Sequence, residues 1–157
     1  MVEFAIVLPL LIMLLFGITE LGRALFQQNS LYKSVSSGAR YLARINDVLA
    51  IDDDGNCTTT GAWPDATSLT AAENLIIYGT LAGGGVPLIP NLDDSGAITI
   101  AVDSRPLIKT DETVATCVIT VNAEAAFAGI FGEIVIPFTP LEPFAIRAET
   151  EERYIGI

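Results

Sequence analysis

Cys57 and Cys117 are the two cysteines of a sequence that has no histidine, and those facts bound its chemistry. Without an imidazole, the familiar Ser–His and Cys–His nucleophile pairs cannot be assembled. Two thiols without CxxC spacing make a poor metal site. The pair has two uses left: a disulfide, which is favoured and requires an oxidising compartment, or two buried, unpaired thiols. A disulfide would close a loop of about 60 residues and contribute roughly 4 kcal/mol on the chain-entropy model. Carboxylates are plentiful but fall in runs, such as Asp52 to Asp54 and Glu149 to Glu152. Those runs read as solvated surface, not as positioned acid–base pairs. In "DDDGN" the side chains of Asp52, Asp54 and Asn56 alternate like the start of a calcium loop. The downstream Glu and the required Gly position are missing, so a solvated loop is the better reading. Neither catalysis nor a cofactor is expected.

The remaining unusual charges lie at the N-terminus. Ala5 to Thr19 is an uncharged run of 15 residues dominated by Leu, Ile, Val, Met and Phe, with Glu3 before it and Glu20 and Arg23 after it. It is shorter than the roughly 20 residues of a comfortable membrane span, and extending it to about 2–26 takes in those charges. A carboxylate beside so apolar a segment is costly unless something neutralises it. Glu20 and Arg23, three apart on a helix, can pair locally for a few tenths of a kcal/mol or bridge two subunits. A secretory signal would begin with basic residues and end at an A-x-A-like site. Neither pattern is present, so the run is expected to belong to the mature molecule.

The elements that carry these residues follow from periodicity. Apolar residues continue at Ile18, Leu21, Leu25, Phe26, Tyr32, Val35, Ala39, Leu42, Ile45 and Leu49, spacings of three and four that make a helical stripe. The pattern predicts one helix from Val2 to Val48, apolar on all sides at first and amphipathic over 27–49. Gln27, Gln28, Asn29, Lys33, Ser36, Ser37, Arg40 and Arg44 would form its wet face. Pro9 is expected to kink it, and Gly17, Gly22 and Gly38 to permit close helix–helix approach. A loop over "DDDGNCTTTGAWPD" follows. "TAAENLIIYG" then reads as a short helix with a Thr70–Glu73 capping box and a Gly79 stop, and "LAGGGVPLIPNLDDSG" as a loop without phosphate-binding spacing.

Beyond it the period becomes two. "AITIAVD", "TVATCVITVN", "EIVIPF" and "FAIRAETEERYI" are four strand candidates. Cys117, Ile119 and Val121 share one face of the second, and Arg147, Glu149, Glu151 and Arg153 a wet face of the fourth. The expected class is α+β: a long N-terminal helix over 1–49 packed on a small antiparallel sheet in an acidic head over 50–157. Charge divides the same way. Residues 1–49 hold four basic and three acidic side chains, and residues 50–157 four basic and 16 acidic. So acidic a head argues against nucleic-acid binding.

The stretch "VEFAIVLPLLIMLLFGITELGRAL" resembles the TadE-like pilins of the tight-adherence (type IVc) pilus systems. It shares their Glu-Phe start, "LPLL" in the apolar run and "ELGR" at its exit. "ARYLAR", "LIIYG", "PLIPNL" and the terminal "FAIRAETEERY" are similar to family landmarks as well. The resemblance implies a type IV pilin-like subunit. Its inner-membrane precursor is trimmed by a prepilin peptidase and inserted by an assembly platform into a helical, extracellular filament of its own copies. Family members are usually minor pilins beside a shorter major one. The acid of such pilins normally stands fifth, whereas Glu3 is third here. On this resemblance Glu3 would pair with the Met1 amine of an adjacent copy or of its own chain, fixing axial register in a waterless core. The alternative is an interfacial carboxylate in contact with water or headgroups. Phe4, Ile6, Leu8, Pro9, Leu11, Leu15, Phe16, Leu21 and Leu25 would pack the filament core. The other candidate roles are a pseudopilin-like piece of a secretion machine and a single-pass anchored envelope protein.

Overall fold

A computed structural model describes residues 2–46, 49–54, 56–59, 66–92, 97–109, 112–129 and 144–155. Helix α1 spans Val2–Leu42, 41 residues, or about 60 Å at the usual rise. It passes through Pro9 without a break. The order continues with β1 (Leu49–Ile51), β2 (Cys57–Thr59), α2 (Ala66–Tyr78), β3 (Ile98–Lys109), β4 (Glu112–Ala126) and β5 (Ala145–Arg153).

The head is an antiparallel meander, β3–β4–β5, with a separate β1–β2 hairpin. In the meander Ile100 lies opposite Val121, and Val121 opposite Thr150. Alternation sends Cys117, Ile119, Val121, Ala123 and Ala125 of β4 inward, together with Ile98 of β3 and Ile146 and Ala148 of β5. They meet Leu31, Val35, Ala39 and Leu42 from the second half of α1. From α2 and the loop after it come Ala72, Ile76, Ile77, Ile89 and Leu92. The α+β class and the helix-on-sheet packing therefore stand as the periodicity predicts.

On the open face of the sheet Arg147 lies directly opposite Glu124 in the ladder and donates to it at 2.9 Å. That hydrogen bond and the Glu124 charge hold the guanidinium above its ordinary value. Arg105 reaches Glu151 on the same face. All four side chains are exposed, and such pairs each contribute little.

Four local expectations are corrected. The long helix ends at Leu42, not Val48. Its last amides close with tighter bonds, Arg44 N–H to Tyr41 C=O and Ile45 N–H to Leu42 C=O, and the chain turns back so that Leu49 enters the core. The second helix begins at Ala66, so Thr70 lies within it and not at its cap. Leu69, half-buried, stands three residues before the buried Ala72, so the added turn continues the apolar side of that helix. Within the expected loop, "DDDGNCTTT" supplies a strand and most of a hairpin, Ile51 pairing with Cys57. Gln27, expected on the wet face, is buried. "EIVIPF" lies outside the described residues.

Gly38 shows why one helix can cross the other so closely. A Cβ built there would lie 2.5 Å from the buried Ile76 side chain. Gly38→Ala is therefore expected to lower stability by about 1–3 kcal/mol through overpacking, read as a fall in the denaturation midpoint. The same change at Gly17 or Gly22 meets open space and should leave that midpoint in place.

Candidate assembly site

The first half of α1 contributes no side chain to the buried core among the described residues. Phe4, Ile6, Leu8, Leu11, Leu15, Phe16, Leu21 and Leu25 are between 40 and 72 % exposed, and Pro9 is exposed as well. The helix is long and apolar enough to cross a membrane, and its most apolar 18-residue window is 0 % buried within the chain. An exposed apolar surface of this extent on one element marks a contact with lipid or protein. Apolar residues lie all round the helix, so the chain's own head, lying to one side, could not cover them all.

The junction between this stalk and the head is built from polar groups. Gln27 is 5 % exposed. Its Nε2 donates to the Ala128 carbonyl at 3.0 Å and its Oε1 accepts from the Ala128 N–H at 3.4 Å. One side chain thus satisfies both backbone groups of a residue beyond the end of β4, groups that burial would otherwise penalise. Gln28, beside it, donates to the Arg147 carbonyl at 2.6 Å. Glu20 is half-buried one stretch below: a Cβ on Gly129 would stand 3.2 Å from its Oε2. Phe127 N–H donates to the Phe144 carbonyl at 2.8 Å, with the two rings edge-on at 6.0 Å. Sequence reasoning missed Gln27. Its signal is indirect, since an amide at a core-facing position of an otherwise apolar stripe implies a backbone partner.

Among the residues singled out by sequence, Arg23 is exposed one turn above Glu20. Met1 and the side chain of Glu3 lie outside the described residues. Cys57 and Cys117 form a disulfide with their Cα atoms 5.6 Å apart, which ties the β1–β2 hairpin to the central strand. Asp52 closes the turn of that hairpin, since its Oδ1 accepts from the Asn56 N–H at 2.7 Å and the Asp54 N–H at 3.1 Å. Among the described residues no three His, Cys, Asp or Glu side chains are grouped to hold a metal ion.

Comparison with known proteins bears on the stalk. Residues 1–40 match the family model described as TadE-like protein, which is about a quarter of the chain and all of α1 but its last two residues. That family is a structural, pilus-associated one, and the match supports a TadE-like protein of a Tad pilus. No curated protein and no solved structure matches the chain.

Proposed function

We propose, from the TadE-like character of residues 1–40, that this chain is a structural pilin subunit. It is held in the inner membrane by its apolar helix before assembly and then polymerises through that helix into an extracellular Tad pilus used for adhesion or surface attachment. The observation that carries this reading is the stalk itself, apolar on every side, with its large apolar side chains 40–79 % exposed among the described residues, and continuous with a helix that the head grips. A plain anchor needs no such continuation. Extraction from lipid must be offset by close packing between copies, and head-to-tail contacts of that kind propagate into open helical arrays. The partners are further copies, the assembly platform and a prepilin peptidase. The Cys57–Cys117 disulfide suits a head that faces an oxidising compartment.

In this reading Glu3 is neutralised by the Met1 amine of an adjacent copy, or of its own chain, and sets axial register. The test is mass spectrometry and negative-stain microscopy of sheared surface material from cells carrying the native chain or Glu3→Gln. The native chain is expected in the fibres, and Glu3→Gln is expected to deplete it there while its membrane level holds. Fibres that lack the native chain while the membrane retains it would replace this reading with a pseudopilin or anchored envelope protein. Equal incorporation of Glu3→Gln would remove the register role alone.

A further inference from the structure

Head and stalk overlap in height. Strand β5 runs beside α1 in the same direction, Gln28 tied to Arg147 and Arg40 to Glu152. Between those ties the rises agree, about 17 Å along the strand and about 18 Å along the helix, so the two elements are close to parallel. Phe144 stands three residues before Arg147, where β5 is about to begin. That is about 10 Å further down, or roughly seven helical residues, which brings Phe144 to the height of Leu21 and Gly22. The other end of the β4–β5 connection gives the same result independently. Gln27 holds both backbone groups of Ala128, and a Cβ on Gly129 would stand 3.2 Å from Glu20 Oε2. The lower rim of the head thus reaches down to residues 20–27 of the helix.

That height is the outer end of the membrane segment. A hydrocarbon core takes roughly 20 helical residues, so a span that leaves Glu3 at one surface runs out near Arg23. Headgroups add about 5–7 Å on that side, which extends the layer to the height of Gln27. The composition of the rim suits this position. Phe144 is 62 % exposed, with its ring edge-on to Phe127, and Phe26 is 72 % exposed on the helix nearby. Ala126, Phe127, Ala128, Gly129, Phe144 and Ala145 carry no charge, although the head is strongly acidic. The first charges up the ladder, Glu124 and Arg147, are paired with each other. Glu20 gives the chain a reason to descend so far. A carboxylate within the span is costly against lipid, and beside Gly129 this one is half-buried, its Oε2 shut off from solvent.

We infer that the head sits in the bilayer surface and is not carried above it. While the chain is held in the membrane, the corner formed by Phe127 and Phe144 lies among the headgroups and upper methylenes of the leaflet from which the helix emerges. Phe26 enters the same layer from the helix, and Arg23, exposed at this height, reaches the lipid phosphates. The partner of this rim is a phospholipid surface, and the inference rests on the membrane-held stage of the reading above. Leaving the bilayer then means withdrawing the rim as well as the stalk.

The test places a photo-reactive benzophenone amino acid at Phe144, Leu11 or Asn122 of the full chain, reconstituted in vesicles of phosphatidylethanolamine and phosphatidylglycerol. After irradiation, lipid adducts are identified on the proteolytic peptides by mass spectrometry. Leu11 reports the span. Asn122 lies opposite Glu149, five residues up β5 and about 17 Å above Phe144. Lipid adducts are expected at Leu11 and Phe144, with loss of the adduct at Asn122. An adduct at Leu11 with none at Phe144, or with a cross-link to protein in its place, overturns the rim contact and leaves the membrane-held stalk standing. Equal adducts at Phe144 and Asn122 overturn it as well, because they report the probe's own affinity for lipid. No adduct at Leu11 overturns the rim contact and the membrane stage together.

Discussion

Leu11→Arg is expected to strip the chain from the membrane while leaving its head folded. Leu11 lies near the middle of the uncharged run and is 52 % exposed, so it belongs to the outer surface of the stalk and not to the buried core among the described residues. On insertion scales, an arginine at the centre of a span costs about 2.5–3.5 kcal/mol and the leucine it replaces is favourable by about 0.5 kcal/mol. The sum is roughly a hundredfold or more in partitioning. Snorkelling relieves such a charge near the ends of a span, less so at its middle. The measurement is the carbonate-resistant membrane fraction, with the oxidation state of Cys57 and Cys117 scored in parallel. Leu11→Ile should behave as the native chain. A resistant fraction unchanged by Leu11→Arg would show that the stalk is not the membrane element.

Removing the disulfide should produce the converse. Cys57 and Cys117 are separated by 60 positions, and the loss of a native bridge of this size costs about 2–5 kcal/mol. For a head of this size that is a fall in Tm of roughly 10–20 °C. The core has little to spare: among the described residues nine large side chains are fully buried, each contributing ~1.5–3 kcal/mol before the entropy of ordering is set against it. The β1–β2 hairpin is weaker still, because each strand has three residues and an isolated hairpin is at best marginal. The Cys57→Ser/Cys117→Ser chain, melted in detergent micelles, and the native chain under reductant should show the same drop. Their membrane fractions should match the untreated protein. A Tm that does not move would mean the hairpin is held by Leu49 and its ladder alone.

The two variants separate the parts of the molecule that are most and least legible in the sequence. The long helix can be read because its apolar steps of three and four persist from Ile18 to Leu42, about seven turns, and the meander because Ile98, Ile100 and Val121 alternate with small or polar neighbours. Ends are less legible. Nothing at Ala43 or Arg44 breaks a helix by propensity. The helix stops because Leu49 is worth more in the core than six further helical residues. The β1–β2 hairpin is unreadable for a related reason: "CTT" has no apolar alternation, and what holds it is a bridge to a strand 60 positions away. Gln27 misleads because an amide looks the same on a wet face as beneath a backbone strap. Only the neighbouring Ala128 tells the two apart.

The way β5 lies along α1 has a mechanical consequence. Gln28 is tied to Arg147, Arg40 to Glu152 at 3.1 Å and, just past the ends of both elements, Ala43 to Ile155 at 3.1 Å, so helix and strand run in the same direction with one tie near the bottom and two near the top. A tensile load drawn along the stalk meets these ties side by side, in shear, and they must yield together. Had the strand crossed the helix, the same load would have opened them one after another, like a zip. The head is therefore fastened along the line of pull, and a tug on the stalk is shared across the grip instead of concentrated at its lower edge.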